Sequence, residues 1–545
     1  MTQIIKRIKN IQLSQTQIIL LASAFFVIFD NKVFFSHSYQ IYKTRPLFLA
    51  CLGIFLFVVI ALSLAIILNR YILKPFLSFL FIASAAAYYY MDEYGTIINS
   101  KMIENIFETD TKEVYDLLNI KLFLIILLVG IVPSVLLWMI KIKKKPIKEE
   151  LKDRLKLIAL CIASLPLLYI AFPKAWVSFF RTHKRLRMYS NPTFYMYSLG
   201  EYIGKTYLIK PMKFKHVGLD AKLIPQEGKP KLLIFVVGEA ARYDHFSLNG
   251  YKRNTNPQLS KIKNLISYPD MHSCGTETAV SVPCMFSFYS RKHFSVRKAR
   301  HTDSLLDILS RVKVNVLWRE NNSSSKGVAS RIKNYVDLKN ANIKPYCNRF
   351  ECHDEILLYK LQDWLNNIHN NRPVFIVLHQ MGSHGPAYYK RYPKSFERFK
   401  PVCKTNQLQK CSRQSIINAY DNTILYTDKF LSEVIDFLKK NQSRYRVAMI
   451  YVADHGESLG ENGIYLHGLP YFIAPDVQKH PAAIAWFGKH FGIDINCAKK
   501  LSKKPYSHDN IFSTVLGLLD VKTKLYNPKL DMYRACRKQT NQQAN

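Results

Sequence analysis

The chain has 545 residues, of which 49% are hydrophobic, and 77 Lys and Arg against 39 Asp and Glu give a formal net charge of +38. A chain this long exceeds one domain, and so much positive charge calls for an acidic partner such as nucleic acid, anionic lipid or anionic polysaccharide. Long apolar runs fill the N-terminal third, so they exclude a nucleic-acid-binding protein and indicate a membrane protein.

Five apolar runs predict five transmembrane helices. A hydrocarbon core needs about 20 apolar residues per helix, and the runs meet or approach that length at about 17–35, 47–68, 73–90, 122–140 and 157–171. Buried soluble helices would leave an amphipathic surface, which these runs lack. The first run has no small-residue cleavage site and more spans follow it, so we expect no cleavable signal peptide.

The charge of the short loops orients these spans. The basic segments KRIKN, NRYILK and KIKKKPIKEELKDRLK face the cytoplasm by the positive-inside rule, whereas the acidic loop 91–119 faces the other side. Five spans that start inside place the rest of the chain outside. We therefore predict a membrane domain at 1–175, a bridging helix and linker at 176–228, and an exported domain at 229–545.

The cysteines support export of the C-terminal part. Cys51 and Cys161 fall in predicted spans, where they act as packing residues. The other eight lie beyond the spans, and their spacing favours the disulfides Cys274–Cys284, Cys347–Cys352, Cys403–Cys411 and Cys497–Cys536. An oxidising compartment such as the bacterial periplasm makes these bridges natural. A zinc ribbon is the alternative, but the chain contains no C-x-x-C pair.

Strands that alternate with helices predict an α/β domain with a mostly parallel sheet in the exported part. Continuous apolar runs end in loops at 232–237, 314–318, 374–378 and 447–452, with helix-like segments at 302–312, 354–368 and 415–440. In such sheets the site gathers at the carboxyl ends of the strands.

Carboxylates and imidazoles stand at these strand ends, namely Glu239, His379, His384, Asp454 and His455. A zinc site takes His nitrogen and Asp or Glu oxygen, and a catalytic zinc leaves one position for the reacting group. His467 lies in a Gly-rich loop downstream that can bend back to this site. The sequence thus predicts a divalent metal centre at this edge of the sheet.

The segment SCGTETAVSVPCMFS, residues 273–287, offers hydroxyl groups to this centre. A hydroxyl held close to a metal loses its proton more readily and becomes a nucleophile. Helix formers follow, so the hydroxyl can sit at a helix N-terminus, where backbone N–H groups favour a phosphate. The candidates are Thr276, Thr278 and Ser281, and composition does not choose among them.

Six motifs together resemble the phosphoethanolamine transferases that modify lipid A, a family that includes the mobile colistin-resistance enzymes. They are VVGEAARYDHFSLNGY, SCGTETAVSVPCMFS, NNSSSKGVASR, HQMGSHGPAYY, YVADHGESLGENGIYLHGLPY and SHDN. The resemblance covers nearly the whole chain and implies five spans, a bridge and an alkaline-phosphatase/sulfatase-like periplasmic domain. Ala240 stands where the family commonly has Thr, which puts no ligand in doubt.

The resemblance implies one firmly bound zinc. Its nucleophile and ligand is Thr278, the second Thr of CGTET, and the other ligands are Glu239, Asp454 and His455.

The resemblance also implies residues that contact substrate. Lys326, His384 and His467 match positions that handle the phosphoethanolamine group or a second zinc. Asn105 and Glu113, in the outer-loop segment MIENIFETDTKE, match positions associated with donor binding. From its residues alone, that loop is a solvated polar connector.

The implied reaction has two steps. Thr278 attacks the phosphorus of phosphatidylethanolamine and diacylglycerol leaves; a phosphate of lipid A then attacks the phosphoethanolamine-threonine. The product lowers the negative surface charge of the lipopolysaccharide and gives polymyxin resistance. The implied protein is a monomer in the bacterial inner membrane, with its catalytic domain in the periplasm and with phosphatidylethanolamine, lipid A and membrane lipids as partners.

Three alternatives stay open from the sequence. The same chemistry can act on Kdo or a core sugar, and a lipoteichoic-acid-synthase-like or sulfatase-like enzyme can share the fold. A membrane-anchored adhesin or scaffold is the non-enzymatic alternative, but it would leave Glu239, Asp454 and His455 without a role.

Overall fold

The computed structural model describes residues 10–108, 111–208, 212–225, 228–348 and 351–537. The chain divides into two compact units, one of residues 1–108 and 118–210, the other of residues 109–117 and 211–545. The segment 109–117 comes from the acidic outer loop, yet it belongs to the second unit.

The first unit is helical. In chain order the helices up to residue 203 are α1 (Gln15–Phe29), α2 (Lys32–Tyr42), α3 (Pro46–Ile67), α4 (Leu73–Tyr94), α5 (Ser100–Glu108), α6 (Thr111–Leu117), α7 (Ile120–Ile125), α8 (Val132–Met139), α9 (Ile147–Ala171), α10 (Pro173–Val177) and α11 (Thr193–Ile203). Of these, α6 is part of the second unit. A π-helical segment, Ile126–Ile131, joins α7 to α8.

The described residues contain three or four candidate membrane spans, where the sequence predicted five. Helix α3, the continuous run Ile120–Met139 and α9 are long and apolar enough to cross a membrane. Helices α1 and α2 qualify only together, as a pair bent by 61°. The third predicted run forms the 22-residue helix α4, but its Lys74, serines and tyrosines make it less apolar than the other spans.

The second unit is built on a seven-stranded sheet, whose strands are β1 (Lys231–Gly238), β2 (Leu265–Ser267), β3 (Asn315–Glu320), β4 (Tyr335–Asp337), β5 (Val374–His379), β6 (Arg446–Ala453) and β7 (Ala483–Phe487). Their order in the sheet is β2-β7-β6-β1-β5-β3-β4. Strands β6, β1, β5, β3 and β4 pair in parallel, and β7 is antiparallel to both β6 and β2. This is the mostly parallel sheet that the apolar runs predicted.

Helices and apolar clusters cover the sheet on both faces. Leu233 and Phe235 of β1 belong to one buried cluster, and Leu232 and Ile234 belong to the other. Because a strand buried on both sides needs no polar face, its sequence is a continuous apolar run. The helices of this unit after α6 are α12 (Thr278–Met285), α13 (Val296–Arg300), α14 (Leu305–Arg311), α15 (Leu361–Asn366), α16 (Arg413–Lys440), α17 (Ile495–Leu501) and α18 (Asp509–Leu518).

Four disulfides cross-link the second unit, and they are the four pairs expected from the spacing: Cys274–Cys284, Cys347–Cys352, Cys403–Cys411 and Cys497–Cys536. Cys51 and Cys161 are buried free thiols. The first bridge ties the loop before α12 to the last turn of that helix, which limits the conformations open to Thr278.

Candidate active site

The central side chains of the site directly follow two neighbouring parallel strands, β1 and β6. Gly238 pairs with Ala453 at the carboxyl ends of β1 and β6, and the N–H of Asp454 donates to the carbonyl of Gly238 at 2.9 Å. Glu239 therefore leaves the sheet beside Asp454 and His455. All three residues are fully buried.

Their side chains converge. Nε2 of His455 lies 3.5 Å from Oε1 of Glu239 and 3.3 Å from Oδ2 of Asp454. Nδ1 of His455 lies 2.9 Å from the carbonyl of Gly456; because a carbonyl only accepts, Nδ1 carries the proton and Nε2 presents its lone pair. Oδ1 of Asp454 accepts from the N–H groups of Ala240 and His455, which fixes the carboxylate.

This arrangement fits a divalent cation. Oε1 of Glu239 and Oδ2 of Asp454 are buried and have no hydrogen-bond partner in the described part of the chain. Burial, followed by the negative charge of Asp454, raises the pKa of Glu239 well above its usual range, and burial lowers the pKa of His455 to about 4. A bound cation would favour both carboxylates in their charged forms, and two oxygens with one imidazole nitrogen are donors that zinc accepts.

The hydroxyl of Thr278 lies against this cluster. Thr278 is the first residue of α12, and its Oγ1 donates to Oε2 of Glu239 at 3.1 Å. The same Oγ1 lies 3.4 Å from Nε2 of His455. The side chain is only half-buried, so a substrate can reach the oxygen.

The two other hydroxyls of the loop are engaged elsewhere. Oγ1 of the buried Thr276 donates to the carbonyl of Leu469 at 2.6 Å. Oγ of the fully buried Ser281 accepts from the N–H of Gly275 at 3.1 Å. The tertiary structure thus separates three hydroxyls that the sequence left equivalent.

Two further histidines join the cluster. The ring of His467 stands 4.2 Å from the ring of His455 and 5.5 Å from that of His384, measured between centroids. Ligand atoms of Glu239, His384 and His467 all lie within 4.8 Å of one another. The Gly-rich loop does bend back, and it places His467 beside His455 and His384.

Sequence reasoning missed two residues of this site. Glu457 is fully buried; it accepts from the hydroxyl of Tyr388 and lies 2.7 Å from Nδ1 of His467. Burial raises the pKa of Glu457 to about 7. Nδ2 of Asn322 donates to Oε2 of Glu239 at 2.9 Å. Each follows the carboxyl end of a strand, β6 or β3, and that position was the available signal.

His379 lies differently from expectation, whereas the predicted role of Lys326 stays a prediction. His379 is not part of the cluster of Glu239, Asp454 and His455. Strands β3 and β5 are neighbours, so Nδ1 of His379 lies 2.8 Å from the buried carboxylate of Glu320 instead. Lys326 is half-buried in a left-handed backbone conformation and lines a small cavity with Pro283 and Phe286. In the described residues no ion pair or hydrogen bond joins its ammonium group to the metal cluster.

Within the second unit, Asp116 joins the outer-loop helix α6 to Arg391. Its Oδ2 accepts from Arg391 at 2.8 Å, and Nε of Arg391 donates to the carbonyl of His384 at 2.8 Å. This part of the loop is therefore anchored and is not a solvated connector. Asn105 lies half-buried in α5, and the side chain of Glu113 lies outside the described part of the structure.

His508, in the SHDN motif, ties the two halves of the site together. Its Nε2 donates to the carbonyl of Ala453 at 3.1 Å, and its Nδ1 accepts from the N–H of Cys274 at 3.2 Å. Burial lowers the pKa of His508 to about 4, so the neutral ring that both bonds require is the stable form.

Comparison with protein families matches two parts of the chain. Residues 231–521 match the sulfatase family, and residues 56–207 match the N-terminal model described as phosphoethanolamine transferase EptA/EptB. Phosphatidylethanolamine transferase Mcr-1 of Escherichia coli is 42% identical over 83% of this chain and 84% of its own length. Phosphoethanolamine transferase EptA of Escherichia coli K12 is 38% identical over 88% of each chain.

Solved structures of phosphoethanolamine transferases also match this chain. The integral membrane lipooligosaccharide phosphoethanolamine transferase A of Neisseria meningitidis matches with a TM-score of 0.93 and 33% identity, over 97% of this chain and 100% of that one. The C-terminal periplasmic domain of phosphoethanolamine transferase EptC from Campylobacter jejuni matches with a TM-score of 0.53 and 42% identity, over 60% of this chain and 99% of that domain.

Proposed function

Because the chain belongs to the phosphoethanolamine transferases, with a membrane domain and a domain of the sulfatase and alkaline-phosphatase type, we propose that it transfers phosphoethanolamine from phosphatidylethanolamine to a phosphate of lipid A. One observation carries the proposal: the Thr278 hydroxyl donates to Oε2 of Glu239 at 3.1 Å, in a site where Oε1 of Glu239 and Oδ2 of Asp454 are buried without a hydrogen-bond partner among the described residues.

Zinc fits this donor set, and Glu239, Asp454, His455 and Thr278 would hold it. When bound, zinc supplies positive charge that stabilises the phosphoryl oxygens and lowers the pKa of the threonine hydroxyl. The enzyme is then a zinc-dependent transferase with one firmly bound ion, and the imidazole pair offers a place for a second.

The protein's own groups organise the first step. Thr278 approaches the donor phosphorus from the start of α12, whose N–H groups favour an anionic phosphate. Oε2 of Glu239 accepts the hydrogen bond of the hydroxyl, so this carboxylate is the group that takes the proton of Thr278. The new oxygen–phosphorus bond forms as the bond to diacylglycerol breaks, and the diacylglycerol oxygen takes up a proton.

In the second step a phosphate oxygen of lipid A forms a bond to the phosphorus, the bond from phosphorus to Oγ1 of Thr278 breaks, and Oγ1 takes back a proton. His384 and His467 stand beside Thr278 to bind the phosphoethanolamine group. Glu457 holds the ring of His467 in place through Nδ1. We assign Lys326 to the same group, and Asn105 and Glu113 to the phosphatidylethanolamine donor, on the family pattern.

The membrane topology and the compartment of each domain are also part of the proposal. We infer five transmembrane helices, with α4 as the one too polar to qualify alone, in the bacterial inner membrane. The division remains 1–175 for the membrane domain, 176–228 for the bridge and 229–545 for a periplasmic catalytic domain, which four disulfides suit. The protein acts as a monomer on membrane lipids and lowers the negative surface charge of the cell, which gives polymyxin resistance.

The test uses the full-length protein in detergent with phosphatidylethanolamine and either lipid A or Kdo-bearing lipid A. Mass spectrometry should find phosphoethanolamine on a lipid A phosphate, with diacylglycerol released in equal amount. Cells that make the protein should survive higher polymyxin concentrations than cells that make Thr278→Ala. Modification of Kdo alone would favour the sugar acceptor, and diacylglycerol release without an acceptor product would reject the transferase assignment.

A further inference from the structure

A second group of ligand-type side chains lies outside the Thr278 cluster. Asp270, His272 and His480 each offer one atom, and these atoms all lie within 4.8 Å of one another. Nε2 of His272 is 2.9 Å from Oδ1 of Asp270, and Nε2 of His480 is 3.7 Å from the same oxygen. None of the three belongs to the active site described above.

The ring of His480 is fixed with its lone pair turned toward this group. Its Nδ1 lies 3.3 Å from the carboxylate of Asp476, which holds the proton on that nitrogen. Its Nε2 is buried and has no hydrogen-bond partner among the described residues. The ring stacks between Tyr243, at 3.7 Å, and His272, at 4.6 Å. A carboxylate behind a ligating imidazole is the usual support of a metal site.

We propose that Asp270, His272 and His480 form a separate binding site for a divalent transition metal, with zinc as the ion that suits two imidazoles and one carboxylate. Zinc bonds of 2.0–2.2 Å at tetrahedral angles place ligand atoms about 3.3–3.5 Å apart. The observed 2.9 Å and 3.7 Å lie on either side of that separation, and all three ligand atoms lie within 4.8 Å of one another, so the three side chains can reach one ion with small movements. Zinc replaces the proton that His272 shares with Asp270.

The site lies where it can brace the catalytic loops. His272 directly precedes the loop that carries Thr278, and the N–H of Ser273 donates to the carbonyl of Lys479 at 2.8 Å. The carbonyl of Gln478 in turn accepts from the N–H of Gly456 at 3.0 Å. An ion between His272 and His480 therefore clamps the segment before the nucleophile to the segment that contacts the His455 loop.

The experiment counts zinc in the full-length protein purified in detergent, stripped with a chelator and dialysed against zinc. His480→Ala and His272→Ala should each contain one zinc equivalent less than the unchanged protein. His490→Ala, at an exposed histidine of the same unit, serves as the matched control and should lose none. Asp476→Asn should keep the site but weaken its zinc affinity about 10- to 100-fold, because the supporting carboxylate is lost.

Two further variants distinguish loss of this zinc from loss of the active-site zinc and from misfolding. In an Asp454→Ala background, which removes an active-site ligand, His272→Ala should still remove one additional equivalent. Asp270→Asn replaces the carboxylate with little change of shape, and disulfide mapping of each variant shows that it has folded. Unchanged zinc content in His272→Ala, His480→Ala and Asp270→Asn would overturn the proposal, and so would an equal loss in His490→Ala.

Discussion

The proposed mechanism requires that the hydroxyl of Thr278, and no other, becomes esterified. Incubation with phosphatidylethanolamine alone should place a phosphoethanolamine ester on Thr278 and release diacylglycerol before any acceptor is present. Thr278→Ala should abolish both, and overall transfer should fall by at least about 1,000-fold, because no other hydroxyl of the loop faces Glu239.

Thr276→Ala and Thr278→Ala should rank in opposite orders for stability and for transfer activity. Thr276→Ala deletes a buried hydroxyl and strips the carbonyl of Leu469 of its 2.6 Å donor, which should cost about 1–3 kcal/mol of the free energy of unfolding. Thr278→Ala deletes a half-buried hydroxyl, and Glu239 keeps its bond from Asn322, so the loss should be about 0.5–1.5 kcal/mol. The less stable variant should therefore be the active one.

The assay combines peptide mapping with thermal unfolding. Trypsin leaves residues 264–291 as one peptide that contains all three hydroxyls, and fragmentation assigns the ester to one of them. Because the second unit has about 340 residues, each kcal/mol should lower its unfolding midpoint by about 1–2 °C. Ser281→Ala is the control and should keep the ester. An ester on Thr276 or Ser281, or an ester that persists in Thr278→Ala, would refute the reasoning.

Three further changes test other parts of the site. Asp454→Ala removes one of the two unpartnered buried oxygens, so zinc content and transfer should both fall; a full zinc equivalent in that variant would contradict the ligand assignment. Replacing Cys274 and Cys284 together by Ala should lower the free energy of unfolding by about 2–3 kcal/mol, because the bridge closes a short loop; an unchanged denaturant midpoint would argue against this. Asp116→Ala removes a partner of the buried Arg391 and should reduce kcat/KM while zinc content stays constant; unchanged kinetics would show that the contact has no role in positioning.

Much of the second unit follows from local patterns in the sequence. Strands β1, β5 and β6 are continuous apolar runs because both faces of the sheet are covered, so their positions were predictable. Carboxylates and imidazoles at the ends of such strands gather at one edge of the sheet, which predicted a site among Glu239, His379, His384, Asp454 and His455. The family resemblance then selected Glu239, Asp454 and His455 as the ligands. The four disulfides join neighbouring cysteines, so spacing was a sufficient guide there as well.

The tertiary structure decided which side chains face each other. Spacing along the chain does not say which strands become neighbours, so only the pairing of β3 with β5 shows that His379 meets Glu320 rather than a metal. Likewise, Asp270 and His480 lie 3.7 Å apart across 210 residues. Thr276 and Thr278 have the same chemistry and differ only in what their hydroxyls contact. A sequence records the period of an element and the chemistry of its side chains, whereas reactivity depends on distances that the packing of distant segments sets.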